Sequence, residues 1–160
     1  MERRGRFAEA SDSSSSLEDL YAEMRGPMIR LAYLLTGNGA VAEDLVQDSF
    51  TRLYERWSDV QRPGAYLRTS VLNACRGYHR RRFRERSHFT DLVPDEVSTE
   101  TPAVLDALAR LPYRQRAALV LRFYEDRPER DIADALGCRP ATVRSLVHRG
   151  LMTLRKAMEP

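Results

Sequence analysis

Apolar residues in this chain recur every three or four positions almost from end to end. Nowhere do they alternate long enough to build a strand. That single feature restricts the fold to packed helices. Leu17, Leu20, Tyr21, Met24 and Met28 open the first stripe, which Gly26-Pro27 is expected to interrupt before Ile29 to Leu35 resumes it. Thr36-Gly37-Asn38-Gly39 then reads as a stop signal. Ala42, Leu45, Val46, Phe50, Leu53, Tyr54 and Trp57 form a second stripe, and Tyr66, Leu67, Ser70, Val71, Ala74, Cys75 and Tyr78 a third after the Pro63-Gly64 turn. Val104 to Leu111, Ala117 to Tyr124 and two short helices complete the pattern. The fold class is all-α.

Charge divides these helices into two groups. Residues 91–102 carry four acids, two prolines and no base, and have no sustained apolar period. This stretch reads as a flexible acidic linker between two small helical domains, 17–90 and 103–160. The tail 1–16, with Ser13 to Ser16 in a row, lacks core-forming residues and is expected to be disordered. Net charge over the 160 residues is only +3, and Lys156 is the only lysine among 26 basic residues. Arginine suits forked contacts with phosphate and guanine, although a GC-rich genome produces the same bias. With no run of ~18 apolar residues and no apolar stretch after Met1-Glu2-Arg3-Arg4, neither a membrane span nor a signal peptide is expected, and the expected location is cytoplasmic. Cys75 and Cys138 are too few for a disulfide framework and sit at helix-packing positions.

The sharpest local pattern runs from Glu129 to His148. Ala133 is small where two helices cross closely. Gly137, four residues on, suits a turn with positive φ. Pro140 suits the first turn of a helix, where its missing N–H is not needed. Ile132, Leu136, Val143 and Val147 supply a shared core. This is a helix-turn-helix, and its second helix turns Thr142, Arg144, Ser145, His148 and Arg149 outward, types that reach base edges and phosphates in a major groove.

Two other helices carry contrasting faces. Burying Ala42, Leu45, Val46, Phe50 and Leu53 forces Glu43, Asp44, Gln47, Asp48 and Arg52 outward, a largely acidic face suited to a basic protein partner. In the third stripe Arg62, Arg68, Asn73, Arg76 and Arg80 to Arg82 gather beside Tyr66 and Tyr78. Charge for phosphates and flat rings for unstacked bases suit single-stranded or partly melted DNA.

Four stretches in order, Arg30-Leu-Ala-Tyr-Leu-Leu-Thr-Gly37, Ala42-Glu-Asp-Leu-Val-Gln-Asp-Ser-Phe-Thr-Arg-Leu-Tyr54, Ala65-Tyr-Leu-Arg-Thr-Ser-Val-Leu-Asn-Ala-Cys-Arg76 and Ala109-Arg-Leu-Pro-Tyr-Arg-Gln-Arg116, precede the helix-turn-helix with its Thr142-Val-Arg-Ser145. Together they resemble bacterial RNA polymerase sigma factors of the extracytoplasmic-function type, over about residues 17–158. The resemblance implies that the first domain binds core polymerase and the −10 promoter element and the second binds the −35 element. It implies that Glu43, Asp44, Gln47, Asp48 and Arg52 dock on the β′ coiled-coil. It implies further that Arg62, Tyr66, Arg68, Asn73, Arg76 and Arg80, with the loop Ser58 to Gly64, meet the melted strand. The implied partners are core RNA polymerase (β′ coiled-coil and β subunit), promoter DNA and an anti-sigma factor, the last expected because no regulatory domain follows Pro160.

Three positions depart from the family pattern: Arg139 at the N-cap, and Leu146 and Leu151 where bases are common. No metal or other cofactor and no catalysis are expected. His79, His88 and His148 lack ligand spacing, and no phosphate loop or nucleophile motif occurs. The alternatives are a stand-alone helix-turn-helix regulator, or an interaction protein that keeps core binding and has lost promoter recognition.

Overall fold

A computed structural model describes residues 16–88 and 103–160, so the tail 1–15 and the linker 91–102 lie outside the described residues. Every regular element among the described residues is a helix. We number them α1 (Leu17–Thr36), α2 (Gly39–Glu55), α3 (Pro63–His88), α4 (Ala103–Ala109), α5 (Tyr113–Leu119), α6 (Glu129–Leu136) and α7 (Pro140–Met158). A short 3₁₀ turn, Trp57–Asp59, joins α2 to α3, and α5 runs on into a π turn, Val120–Tyr124.

Helix α1 corrects the expected interruption at Gly26-Pro27, because Pro27 sits inside one continuous helix. Proline there removes one backbone donor. Yet Leu20 and Met24 before it, and Met28, Leu31, Ala32 and Leu35 after it, all bury on one side. A broken axis would swing half of that stripe into water, at ~1.5–3 kcal/mol for each large side chain. Helix α1 starts at Leu17. Ser16 is its N-cap, accepting a hydrogen bond from the Asp19 backbone N–H at 3.1 Å. Gly37 closes the helix with φ of 72°, a backbone that glycine adopts freely. Asn38 caps α2 in turn through the Val41 N–H.

Ala42, Val46, Phe50 and Leu53 of α2 and Leu67, Val71, Leu72 and Cys75 of α3 bury against α1. Leu45, expected in this core, is half-buried at its edge. In the second group, Ile132, Ala133 and Val143 pack with Ala117, Val120 and Leu121, while Leu108, Leu111 and Leu119 form a smaller cluster. Gly137 ends α6 at φ 66°, and Pro140 opens α7, as the motif requires. At Gly150 of α7 the helices cross so closely that a Cβ would lie 2.9 Å from Leu119 Cδ1. Leu151, noted as a departure from the family pattern, packs on this smaller cluster.

The two groups of helices also pack on each other. One continuous core cluster includes side chains from both, and α3 lies against α5 and α6.

Candidate nucleic-acid interface

The second helix of the helix-turn-helix, α7, is seated by Val143, which is fully buried, and by Val147, half-buried against the core. This seating leaves Arg144, Ser145, His148 and Arg149 exposed and Thr142 half-buried at the N-terminal turn. Ser145 donates its hydroxyl to Ala141 O at 3.3 Å, keeping its lone pairs available to accept. Arg144 is held by Glu129 at the start of α6, Nη1 to Oε2 at 3.1 Å. Both side chains are open to solvent, so exchanging the carboxylate for a base or phosphate costs little. Arg139 occupies the N-cap with extended backbone and no side-chain cap.

On α2, Glu43, Asp44, Gln47, Asp48 and Arg52 are all exposed, directly above the buried Ala42, Val46 and Phe50. Beside them Leu17, Tyr21, Phe50 and Tyr54 line a shallow apolar hollow of about 220 Å³. Tyr21 and Phe50 meet there with ring centres 4.8 Å apart and the ring planes tilted by 59°.

The α3 residues divide into two sets. Arg62, Asn73 and Arg80 are exposed, whereas Tyr66 and Arg76 are half-buried. Arg68 is only 8% exposed, and its guanidinium meets Glu125 at 3.4 Å across the seam between the two groups of helices. Arg80 and Arg76 border an open groove of about 1000 Å³ between α3 and α5, where Phe83 is 76% exposed and Leu146 of α7 forms part of the wall. Leu146, another of the three departures from the family pattern, therefore faces this groove.

Reading the residues in sequence missed the polar network at the seam. Arg116 is 4% exposed and donates to Ala109 O, Leu111 O and Leu35 O. Leu35 O lies in the last turn of α1, where carbonyls lack helical partners, and His79 Nε2 meets the same oxygen. Arg116 Nη1 also lies 3.0 Å from His79 Nε2. Tyr113 donates its hydroxyl to Leu72 O at 2.6 Å, and Arg30 donates to the Tyr124 hydroxyl at 3.0 Å. Burial pulls the Arg116 pKa below its ordinary value, opposed by Tyr113 and Cys75. Burial likewise pushes the Tyr113 hydroxyl well up. One signal could have exposed the network: Arg116 stands three and four residues before buried Leu119 and Val120, so a charge occupies a core position of α5.

The sequence matches the family described as Sigma-70 region 2 over residues 13–85 and the one described as Sigma-70, region 4 over residues 102–154. It is 33% identical to the RNA polymerase sigma-E factor of Streptomyces antibioticus, covering 89% of this chain and 84% of that protein. It is 32% identical to the ECF RNA polymerase sigma factor SigL of Mycobacterium tuberculosis, covering 94% and 93%. The chain belongs to the extracytoplasmic-function (ECF) sigma factors. As an alternative sigma factor it directs promoter-specific transcription. Among solved structures, RpoE from Bartonella quintana, crystallised with the anti-sigma factor NepR, shares the fold of this sigma factor with a TM-score of 0.73 at 23% identity, covering 88% of this chain and 95% of that one. CnrH, solved with the cytosolic domain of CnrY, gives 0.67 at 19% identity, covering 94% and 93%. Among the described residues of this sigma factor, no helix is long and apolar enough to cross a membrane, and no group of side chains could hold a metal ion.

Proposed function

We propose that this sigma factor divides its work among three helical faces. Helix α2 docks on core RNA polymerase through Glu43, Asp44, Gln47, Asp48 and Arg52, with a basic surface of the β′ coiled-coil as partner and the β subunit as a further contact of core enzyme. Helix α3 reads and holds the melted −10 strand through Arg62, Tyr66, Arg68, Asn73, Arg76 and Arg80. Helix α7 reads the −35 element through Thr142, Arg144, Ser145, His148 and Arg149. On this reading the boundaries 17–90 and 103–160 separate a −10 and polymerase domain from a −35 domain. The chain performs no catalysis of its own and works in the cytoplasm, where polymerase is.

One observation carries the reading. The buried Val143 and the half-buried Val147 fix the rotation of α7, so Arg144, Ser145, His148 and Arg149 project together, as groove recognition needs. An anti-sigma protein is the expected regulator, supported by the solution of RpoE from Bartonella quintana, which shares this fold, with the anti-sigma factor NepR.

Reconstitution with core RNA polymerase tests the whole. The chain should comigrate with core enzyme and confer promoter-dependent initiation. Duplex binding by the chain alone, with core enzyme left untouched, would favour the stand-alone regulator. Comigration without initiation would favour the interaction protein.

A further inference from the structure

We infer that Glu129 is a positioning residue for reading the −35 element: it holds the guanidinium of Arg144 by one nitrogen and leaves the other edge for a base. The inference rests on the assignment of Arg144 to base reading proposed above. Three observations on the pair support it.

The first is the geometry of the contact. Arg144 Nη1 lies 3.1 Å from Glu129 Oε2 and 3.5 Å from Oε1, so the carboxylate engages a single nitrogen. Nε and Nη2 of Arg144 take no part in it. A guanidinium carries five N–H donors in a fixed plane, and those of Nε and Nη2 point to one side as a fork. That fork matches O6 and N7 of guanine. Exposure makes exchange of Glu129 for a base cheap, but base reading does not require the exchange.

The second is the anchoring of Glu129. It stands in the first turn of α6, where the positive end of the helix favours a carboxylate. Asp131 in the same turn pairs with Arg127 at 3.7 Å, so the two acids do not compete for Arg144. The Glu129 side chain is 35% exposed against 65% for Arg144. The shorter and better-covered side chain thus anchors the longer one. Packing of Ile132, Ala133 and Val143 already joins α6 to α7, so an exposed ion pair adds little to the fold. Its consequence lies in where it points Arg144.

The third is charge. The first helix of a helix-turn-helix crosses the DNA backbone, where an acid alone would repel phosphate. Paired, Glu129 and Arg144 carry no net charge. Arg144 therefore gains little from phosphates at large and keeps its fork for a base. Arg149, exposed further along α7, meets no acid among the described residues and is left to phosphate. Glu129 separates the two arginines into a reader and an anchor.

The test uses the full chain on core RNA polymerase and promoter duplexes with single-base changes in the −35 element. Four chains are compared: native, Glu129→Ala, Arg144→Ala and the double variant. The native chain should prefer the base pair read by Arg144 by about 5- to 150-fold. Glu129→Ala should cut that preference by about 2- to 10-fold, the cost of ordering one long side chain during binding. Its binding to mismatched duplexes should hold or tighten, with a salt slope steeper by up to about one counterion. In the Arg144→Ala background, Glu129→Ala should change the preference no further. Glu129→Gln, which keeps an oxygen for Nη1, should restore part of the preference. An unchanged or increased preference in Glu129→Ala would overturn the inference, the increase meaning that the carboxylate competes with the base. Equal loss on every duplex would also overturn it, since that is the mark of a structural role. Uniform loss for Arg144→Ala itself would refute the base-reading assignment, and the positioning role with it.

Discussion

The two halves of this sigma factor are stabilised by different means. In the first, α1 to α3 bury Leu20, Met28, Leu31, Leu35, Leu53 and Leu67 completely, together with Phe50. In the second, the buried set includes Ala107, Ala117, Ala118 and Ala133, and its short α4 and α5 are tied together by a guanidinium, that of Arg116. Large side chains give the first half transfer free energy in proportion to area. Small ones let helices approach closely, as Gly150 does against Leu119, and leave directed hydrogen bonds to hold the elements in register. The first half should therefore respond to lost volume, and the second to lost hydrogen bonds.

Replacing Arg116 by leucine tests that contrast most severely. The substitution keeps an apolar stem, leaves Ala109 O and Leu111 O without the Arg116 donor, and leaves Leu35 O with His79 alone. At ~1–3 kcal/mol for each buried orphan carbonyl, partly offset by the removed desolvation of the charge, the loss should be about 3–5 kcal/mol. Urea unfolding should show the second half melting first while α1 to α3 stay folded. An unchanged midpoint would mean that the desolvation of Arg116 cancels its hydrogen bonds. The counterpart is Leu31→Ala, which opens a cavity in the first half and should cost ~2–5 kcal/mol. It should destabilise α1 to α3 preferentially. Equal loss in both halves would show that the continuous core makes them one cooperative unit.

The same contrast explains what could be read in advance. Gly137, Pro140, Ala133 and Val143 were legible because each answers a local backbone or packing demand within a few residues. The stripes of α2 and α3 were legible because apolar periodicity and burial agree. The continuity of α1 through Pro27 was not, since it depends on the partners that cover Met28 to Leu35 outweighing a local helix breaker. The covering of Arg68 was not legible either. Its partner Glu125 lies 57 positions along the chain, and an arginine in an arginine-rich helix carries no mark distinguishing a tethered side chain from a free one. The exposure of Glu43, Asp44, Gln47, Asp48 and Arg52 followed directly, because a face opposite a buried stripe has nowhere else to go.

A smaller effect on folding separates two arginines of α7. Arg144→Ala removes an exposed pair with Glu129, worth at most ~1 kcal/mol of stability. Its effect should fall on recognition instead. Arg144 stands near the helix N-terminus, which in helix-turn-helix docking contacts base edges, and a forked contact to guanine supplies ~1–3 kcal/mol of discrimination. Specificity should relax at one base pair of the −35 element. Arg149→Ala, more than a turn later, should weaken binding on all sequences and lower the salt slope by about one counterion. A panel of single-base −35 variants distinguishes them, and a uniform loss for Arg144→Ala would reassign that residue to phosphate contact.

The smallest expected effect uses the two cysteines, one in each half. Cys75 is fully buried on α3, and Cys138 is half-buried after α6. Burial pushes the Cys75 thiol up to about 12, with Arg116 pulling weakly the other way. A thiolate is the nucleophile, so Cys75 should resist iodoacetamide near pH 8 in the folded chain while Cys138 is alkylated first. Denaturant should abolish the difference. The pH dependence has a definite sign. Because the folded pKa of Cys75 is raised above the ordinary value of about 9, its contribution is fully present below pH 9. Above that the unfolded chain loses the proton first, and stability falls as pH rises from 9 towards 12. Replacing Cys75 by serine would not isolate this term, since it buries a hydroxyl. Cys75→Ala should flatten the alkaline slope at the cost of a small cavity. Rapid alkylation of native Cys75 would mean that the packing of α3 opens locally far more often than its burial implies.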